Sequence, residues 1–164
     1  MITFENYTVR LLQLSDLEKY FSMIESNRKR LEDFFSGTVS RTRTFEETEK
    51  FLKEIIQKRY AKLYYAYVIE NNENKEFVGF IDIKNIDWNI PKAELGCYTD
   101  GKYAGKGVTS KAFSLFVEHC FDRYGFAKLF LRTHESNLAA QKLVFKSRVK
   151  FEKTTKPQKE KSLT

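Results

Sequence analysis

The chain has 164 residues, 41% hydrophobic and 15% aromatic, with seven glycines and two prolines, which excludes disordered, collagenous and low-complexity classes and suits one compact domain. The formal charge is +7, but seven basic and two acidic residues fall between Lys146 and Thr164, so most of the excess sits in one terminal segment and is not spread over a face as nucleic-acid binding would require. The longest apolar stretch, Leu63 to Ile69, is far too short to span a membrane, the start has no apolar signal region, and Cys97 and Cys120 are not in metal-ligand spacing with His119 and His134.

Residues 8–12, TVRLL, predict a short strand, and the capping box Ser15-Asp-Leu-Glu18 predicts a helix with Leu17, Tyr20, Phe21 and Ile24 on one stripe. A second box, Thr44-Phe-Glu-Glu47, opens a helix whose stripe is Phe51, Leu52, Ile55, Ile56 and Tyr60, while 27–43 is charged and irregular with room for a short helix. LYYAYVIE, the polar cluster NNENKE and FVGFIDIKNI read as an antiparallel hairpin, and KAELGCYTD, after Pro91, as a third strand. GKYAGKG leads into an amphipathic helix with Ala112, Leu115, Phe116, His119 and Cys120 on one face, stopped by Gly125. KLFLRTHE is a further strand, Ser136-Asn137 starts a helix containing Leu138, Leu143 and Phe145, and VKFEKTT is a last short strand. There is no internal repeat or linker, so the expectation is a single α+β domain over 1–164, cytoplasmic and without membrane, metal or nucleic-acid partner, with a basic segment at about 152–164.

The chemistry concentrates in strand, glycine loop and helix, residues 92–124. A helix N-terminus offers unpaired N–H groups and a positive dipole end, and glycines allow an anion close approach, so the unit suits a phosphate or pyrophosphate; two glycines making only a tight turn is the plainer alternative. A P-loop needs one more residue between its glycines and a hydroxyl after the lysine, which Gly101, Gly105, Lys106 and Gly107 do not supply. A dinucleotide fingerprint would put a glycine at Ser110 and follow a parallel βαβ unit, whereas here a hairpin precedes the loop.

Lys102-Tyr-Ala-Gly105-Lys-Gly107 resembles the [QR]-x-x-G-x-[GA] motif of the GNAT superfamily of acyl-CoA N-acyltransferases, at the same strand-to-helix junction. FVGFIDI and AELGCYTD resemble that family's hairpin and central strand. The run from Asn137 resembles its N-x-x-S-x-x-L-x-x-K-x-G-F segment, and TVRLLQLSDLEKYF resembles the branch of ribosomal-protein N-terminal acetyltransferases, with spermidine acetyltransferases nearby. The departures are Lys102 for Gln or Arg, Ala140 for Ser and Arg148-Val149 for Gly-Phe. The family also adds a strand or hairpin beyond this point; without one a sheet edge stays open, and a homodimer is one way to cover it.

The resemblance implies a mixed, mostly antiparallel sheet flanked by helices in a three-layer αβα arrangement, with acetyl-CoA as co-substrate and an amine as acceptor. By it, Cys97, Tyr98 and Thr99 supply backbone contacts to the pantetheine arm, and Lys102, Tyr103, Ala104, Gly105, Lys106, Gly107 and Val108 take the pyrophosphate. Asn137 bonds the pantetheine, and Glu94 is the candidate general base acting through water, the alternative being a carboxylate paired with a basic neighbour. A proton donor for the thiolate is not identified, because the family's Tyr position reads Val144 and its Ser position Ala140. Neutralising an amine at pH 7 costs about 4.6 kcal/mol for Lys and about 1 kcal/mol for an α-amino group, which favours a protein N-terminus over a side chain. Cys97 as an acyl carrier is outweighed by a packing role, His119 reads as core, and Trp88, Tyr64, Tyr65 and Tyr67 are candidates for the acceptor cleft. A polyamine acetyltransferase, a non-catalytic acyl-CoA-binding module and a nucleotide-binding protein are the competing readings.

Overall fold

The computed structural model describes residues 1–144 and 147–154. Seven strands form one sheet in sequence order: β1 (Ile2–Phe4), β2 (Tyr7–Leu11), β3 (Tyr65–Asn71), β4 (Phe77–Asp87), β5 (Lys92–Thr99), β6 (Lys128–His134) and β7 (Lys150–Thr154). Pairings from β1 through β5 are antiparallel, and β5–β6 and β6–β7 are parallel. The helices are α1 (Leu17–Glu32), α2 (Ser36–Arg41), α3 (Phe45–Tyr60), α4 (Val108–His119), continued by a π-turn over Cys120–Tyr124, and α5 (Leu138–Val144).

Strand alternation produces the layers. In β3, Tyr65, Tyr67 and Ile69 join the core under α4 and α5, while Ala66 and Val68 join the core under α1, α2 and α3. β4 and β5 divide likewise, with Ile81, Ile83, Ala93 and Leu95 to one side and Phe80 and Tyr98 to the other. The three-layer expectation therefore holds.

Several local expectations need correction. The sequence does not signal β1, a three-residue strand joined to β2 through Glu5 at φ 49°. The box at the first helix is not Ser15 with Glu18: the carboxylate of Asp16 accepts the Gln13 N–H at 2.8 Å and a two-pronged pair from Arg10 at 2.8 and 2.9 Å. The box at α3 does form, since Thr44 Oγ1 accepts from Glu47 N–H at 3.1 Å, but Tyr60 is 79% exposed and outside the stripe. Residues 27–32 continue α1, and α2 is the short helix allowed in the irregular stretch. On α4 the buried face is Ala112, Phe113, Phe116, Val117 and Cys120, and Leu115 turns to solvent. Phe145 and the basic segment from 155 onward lie outside the described residues.

The feature that positions the site is a short seam. β5 and β6 pair only at Lys92↔Lys128, Ala93↔Leu129 and Glu94↔Phe130. Beyond Glu94 the strands diverge, leaving the edge of 95–99 without a strand neighbour on that side.

Candidate active site

The gap between β5 and β6 opens onto the loop before α4. Gly105 and Gly107 have φ of 78° and 79°, a backbone region in which a Cβ is strained, and a Cβ at either would meet nothing within 4 Å. These glycines are there for the bend, and the space above them is open. The Lys102, Tyr103, Ala104 and Lys106 N–H groups are used within the turn, the first by Asp100 Oδ1 at 2.9 Å. Among the described residues, the N–H groups of Gly105, Gly107, Val108, Thr109 and Ser110 have no acceptor, as expected at the start of a helix.

The cleft over this loop measures about 700 Å³ and is lined by Cys97, Tyr98, Thr99, Tyr103, Ala104, Gly105, Gly107 and Asn137 together with Arg30, Phe35, Thr109 and Ala140. Of the residues singled out in the sequence, Lys102, Lys106 and Val108 are not in its wall. The Lys102 ammonium is 3.7 Å from Glu76 Oε2 in the β3–β4 turn, and Lys106 lies over the Tyr103 ring. Asn137 is in the wall but also caps α5, its Oδ1 accepting Ala140 N–H at 3.2 Å while its Nδ2 donates to Thr133 Oγ1.

The structure adds Thr109 and Arg30, which no motif or spacing singles out, to the walls of this cleft. Thr109 Oγ1 is buried beside the cleft without a hydrogen-bond partner, and Arg30 reaches over from α1 to face the Tyr98 hydroxyl and donate to the Thr99 carbonyl at 3.4 Å. An orphaned hydroxyl in a cleft wall, beside free N–H groups, suits a ligand with amide and phosphate oxygens.

From the cleft a throat of about 20 Å³, room for little more than one water, passes between β5 and β6 past Cys97, Gly96, Lys84 and Arg132. Next to Leu95 of that wall, Glu94, 4% exposed, accepts from Asn85 Nδ2 at 2.8 Å and stands 3.9 Å from an Arg132 guanidinium nitrogen, a carboxylate with a basic neighbour. Burial, helped by the charge of Asp82, pushes the Cys97 thiol well above its ordinary pKa, which makes it a poor acyl carrier. Ala140 and Val144 are buried and carry no proton to donate.

Two placements move away from the site. Tyr65 and Tyr67 face α4, where Tyr67 and Tyr124 share a hydroxyl hydrogen bond and His119 packs against Phe116. Trp88 stacks on Phe126 and donates to the Lys62 carbonyl. Tyr64 lies on the other face, under α1 to α3, and donates to Asp82 Oδ2 at 2.7 Å.

A mixed sheet splayed beside a glycine-bent helix start has the architecture of an acyl-CoA N-acyltransferase. The chain belongs to the acetyltransferase (GNAT) domain family, whose family model matches residues 6–150. It is 28% identical over 122 residues to YdaF of Bacillus subtilis, named a candidate ribosomal N-acetyltransferase; the match covers 72% of this chain and 63% of that protein. Among solved structures, the ribosomal-protein-S5-alanine acetyltransferase of Vibrio fischeri has a TM-score of 0.77 at 20% identity, covering 87% of this chain and 79% of its own. RimL, a ribosomal L7/L12 α-N-protein acetyltransferase solved with coenzyme A, has 0.79 at 17%, covering 85% and 77%. A spermidine N-acetyltransferase SpeG chimera from Vibrio cholerae and hSSAT has 0.69 at 17%, also covering 85% and 77%. These likenesses are of fold.

Proposed function

We propose that the protein transfers an acetyl group from acetyl-CoA to a primary amine, most naturally the N-terminal amine of a protein, by direct attack. The observation that carries this reading is the splay beyond Glu94 opening onto the free N–H groups of Gly105, Gly107, Val108, Thr109 and Ser110. On this reading those N–H groups hold the diphosphate, and the free edge of Cys97 to Thr99 receives the pantetheine amides. Asn137, already the α5 cap, has limited capacity left for the pantetheine. Lys102, exposed and ion-paired at 3.7 Å with Glu76, adds charge near the loop.

The chemistry of the remaining groups is consistent with a direct mechanism. The amine must arrive neutral or lose a proton, and Glu94 lies next to Leu95 of the throat wall, where one water can relay it. Cys97 held as a thiol does not compete for the acyl group. The acyl carbon bonds to nitrogen, the carbon–sulfur bond breaks, and the leaving thiolate takes a proton from solvent, since neither Ala140 nor Val144 can supply one. Polyamine acetylation is the second reading, favoured by the carboxylates of Glu94, Asp82 and Glu152 on this side of the sheet and by the spermidine acetyltransferase fold neighbour.

Calorimetry with coenzyme A, followed by thiol release against peptides with free amino termini and against spermidine, tests both readings. Binding near micromolar strength and turnover on one class is the expected result. Absence of heat with millimolar coenzyme A would remove the transferase reading. The double variant Gly105→Ala, Gly107→Ala is expected to weaken coenzyme A binding by roughly tenfold or more while leaving the fold intact, because the strain of about 1–2 kcal/mol per residue falls on the loop alone.

A further inference from the structure

Asp82 is 5% exposed on β4, opposite Gly96 of β5 and on the same sheet face as Glu94 and Tyr98. Its two oxygens are treated unequally. Oδ2 accepts from the Tyr64 hydroxyl at 2.7 Å, whereas Oδ1 is buried with no hydrogen-bond donor and is ion-paired at 3.9 Å with Lys84 Nζ. A Cβ on Gly96 would come within 2.3 Å of Oδ1 and 3.2 Å of Lys84 Nζ, so both groups overhang that glycine. Gly96 and Lys84 are themselves walls of the throat, together with Cys97 and Phe35. The sequence thus keeps a carboxylate dry and clears β5 of any side chain beneath it, so that Oδ1 lies behind Lys84, whose side chain belongs to the throat wall. A buried anionic oxygen without a donor is costly unless a ligand supplies the donor.

We propose that Asp82 Oδ1 is the anchor for the acceptor amine: it takes an N–H of the attacking nitrogen, and Lys84 is the resident cation that gives way. This rests on the transferase reading and narrows it. One N–H held on Oδ1 leaves the lone pair of a primary amine to face the β5–β6 gap. Tyr64 fixes the carboxylate by its second oxygen, so the anchor is set before the substrate arrives. Asp82 here binds and orients; the proton relay stays with Glu94.

The test measures acceptor affinity by calorimetry, with and without coenzyme A, for peptides beginning Ser, Ala or Met, their Nα-acetylated counterparts and spermidine, so that turnover is not needed. The wild-type protein is expected to bind at least one free amine and no acetylated peptide. Asp82→Asn keeps the volume but, with Tyr64 donating to its oxygen, turns an NH₂ towards the amine; it should weaken acceptor binding by roughly tenfold or more, the scale of one charge-assisted hydrogen bond, with coenzyme A affinity unchanged. Lys84→Met removes the competing cation and should tighten acceptor binding. The proposal is overturned if Asp82→Asn leaves acceptor affinity within about twofold, if it weakens coenzyme A equally, if Lys84→Met weakens or does not alter acceptor binding, or if no free amine binds the wild type. Failure of the transferase reading looks different: no coenzyme A binding, or an amine that binds through Asp82 and is never acetylated.

Discussion

At Asp16 two opposing effects act on one carboxylate. Burial would raise its pKa, but the Arg10 guanidinium and the Gln13 N–H outweigh burial and hold it below the usual carboxylate range. A depressed folded-state value means the unfolded chain binds the proton more readily. The stabilisation is therefore complete above the ordinary Asp value of about 3.9 and is lost as pH falls towards the folded-state value. We expect the melting temperature to drop between about pH 4 and pH 2, and Asp16→Asn to be destabilised by about 2 kcal/mol at pH 7 with a flatter profile over the acid range. A variant whose acid limb matches the wild type would place the titration elsewhere. Asp16 lies inside the Ser15–Glu18 motif, so the sequence pointed to the right turn and the wrong side chains: Arg10 competes from a neighbouring strand, and spacing along a helix does not register a strand.

Among the elements, α4 separates what periodicity reveals from what it does not. Its apolar stripe, its glycine stop and its position after the loop were legible, because a 3.6-residue period is a property of the chain itself. Which side of the stripe faces the sheet was not: Phe113 and Val117 are buried and Leu115 is 37% exposed. Truncating Phe116, fully buried against Tyr67, should cost about 3–5 kcal/mol in denaturant unfolding, and Leu115→Ala less than about 1 kcal/mol. Equal losses would mean that the helix is rotated from the position described. The hairpin β3–β4 and strand β5 were legible from alternation and turn residues, whereas β1 is too short to show a period. The glycine bend before α4 was legible, but not the ion pair of Lys102 with Glu76 or the unequal surroundings of the two Asp82 oxygens, which depend on partners brought in from another strand or turn.

Taken whole, the molecule is a sheet whose two parts meet along three residue pairs. On one side of the seam, β1 to β5 carry α1, α2 and α3; on the other, β6 and β7 are followed or joined by α5, and α4 bridges beneath. That arrangement exposes inward-facing peptide groups of 95–99 to whatever enters, which is what a substrate with amides of its own requires. It also has a mechanical consequence. A guest lying in the notch would act as a missing rung, tying together two strand groups whose ladder is paired only from Lys92 to Glu94. Deuterium uptake should therefore slow on both banks together, at 95–99 and at 131–134, when coenzyme A is added, and slow little in β2 and β3. Protection confined to the loop at 105–110 would show that the guest grips only the helix end and leaves the two strand groups untied.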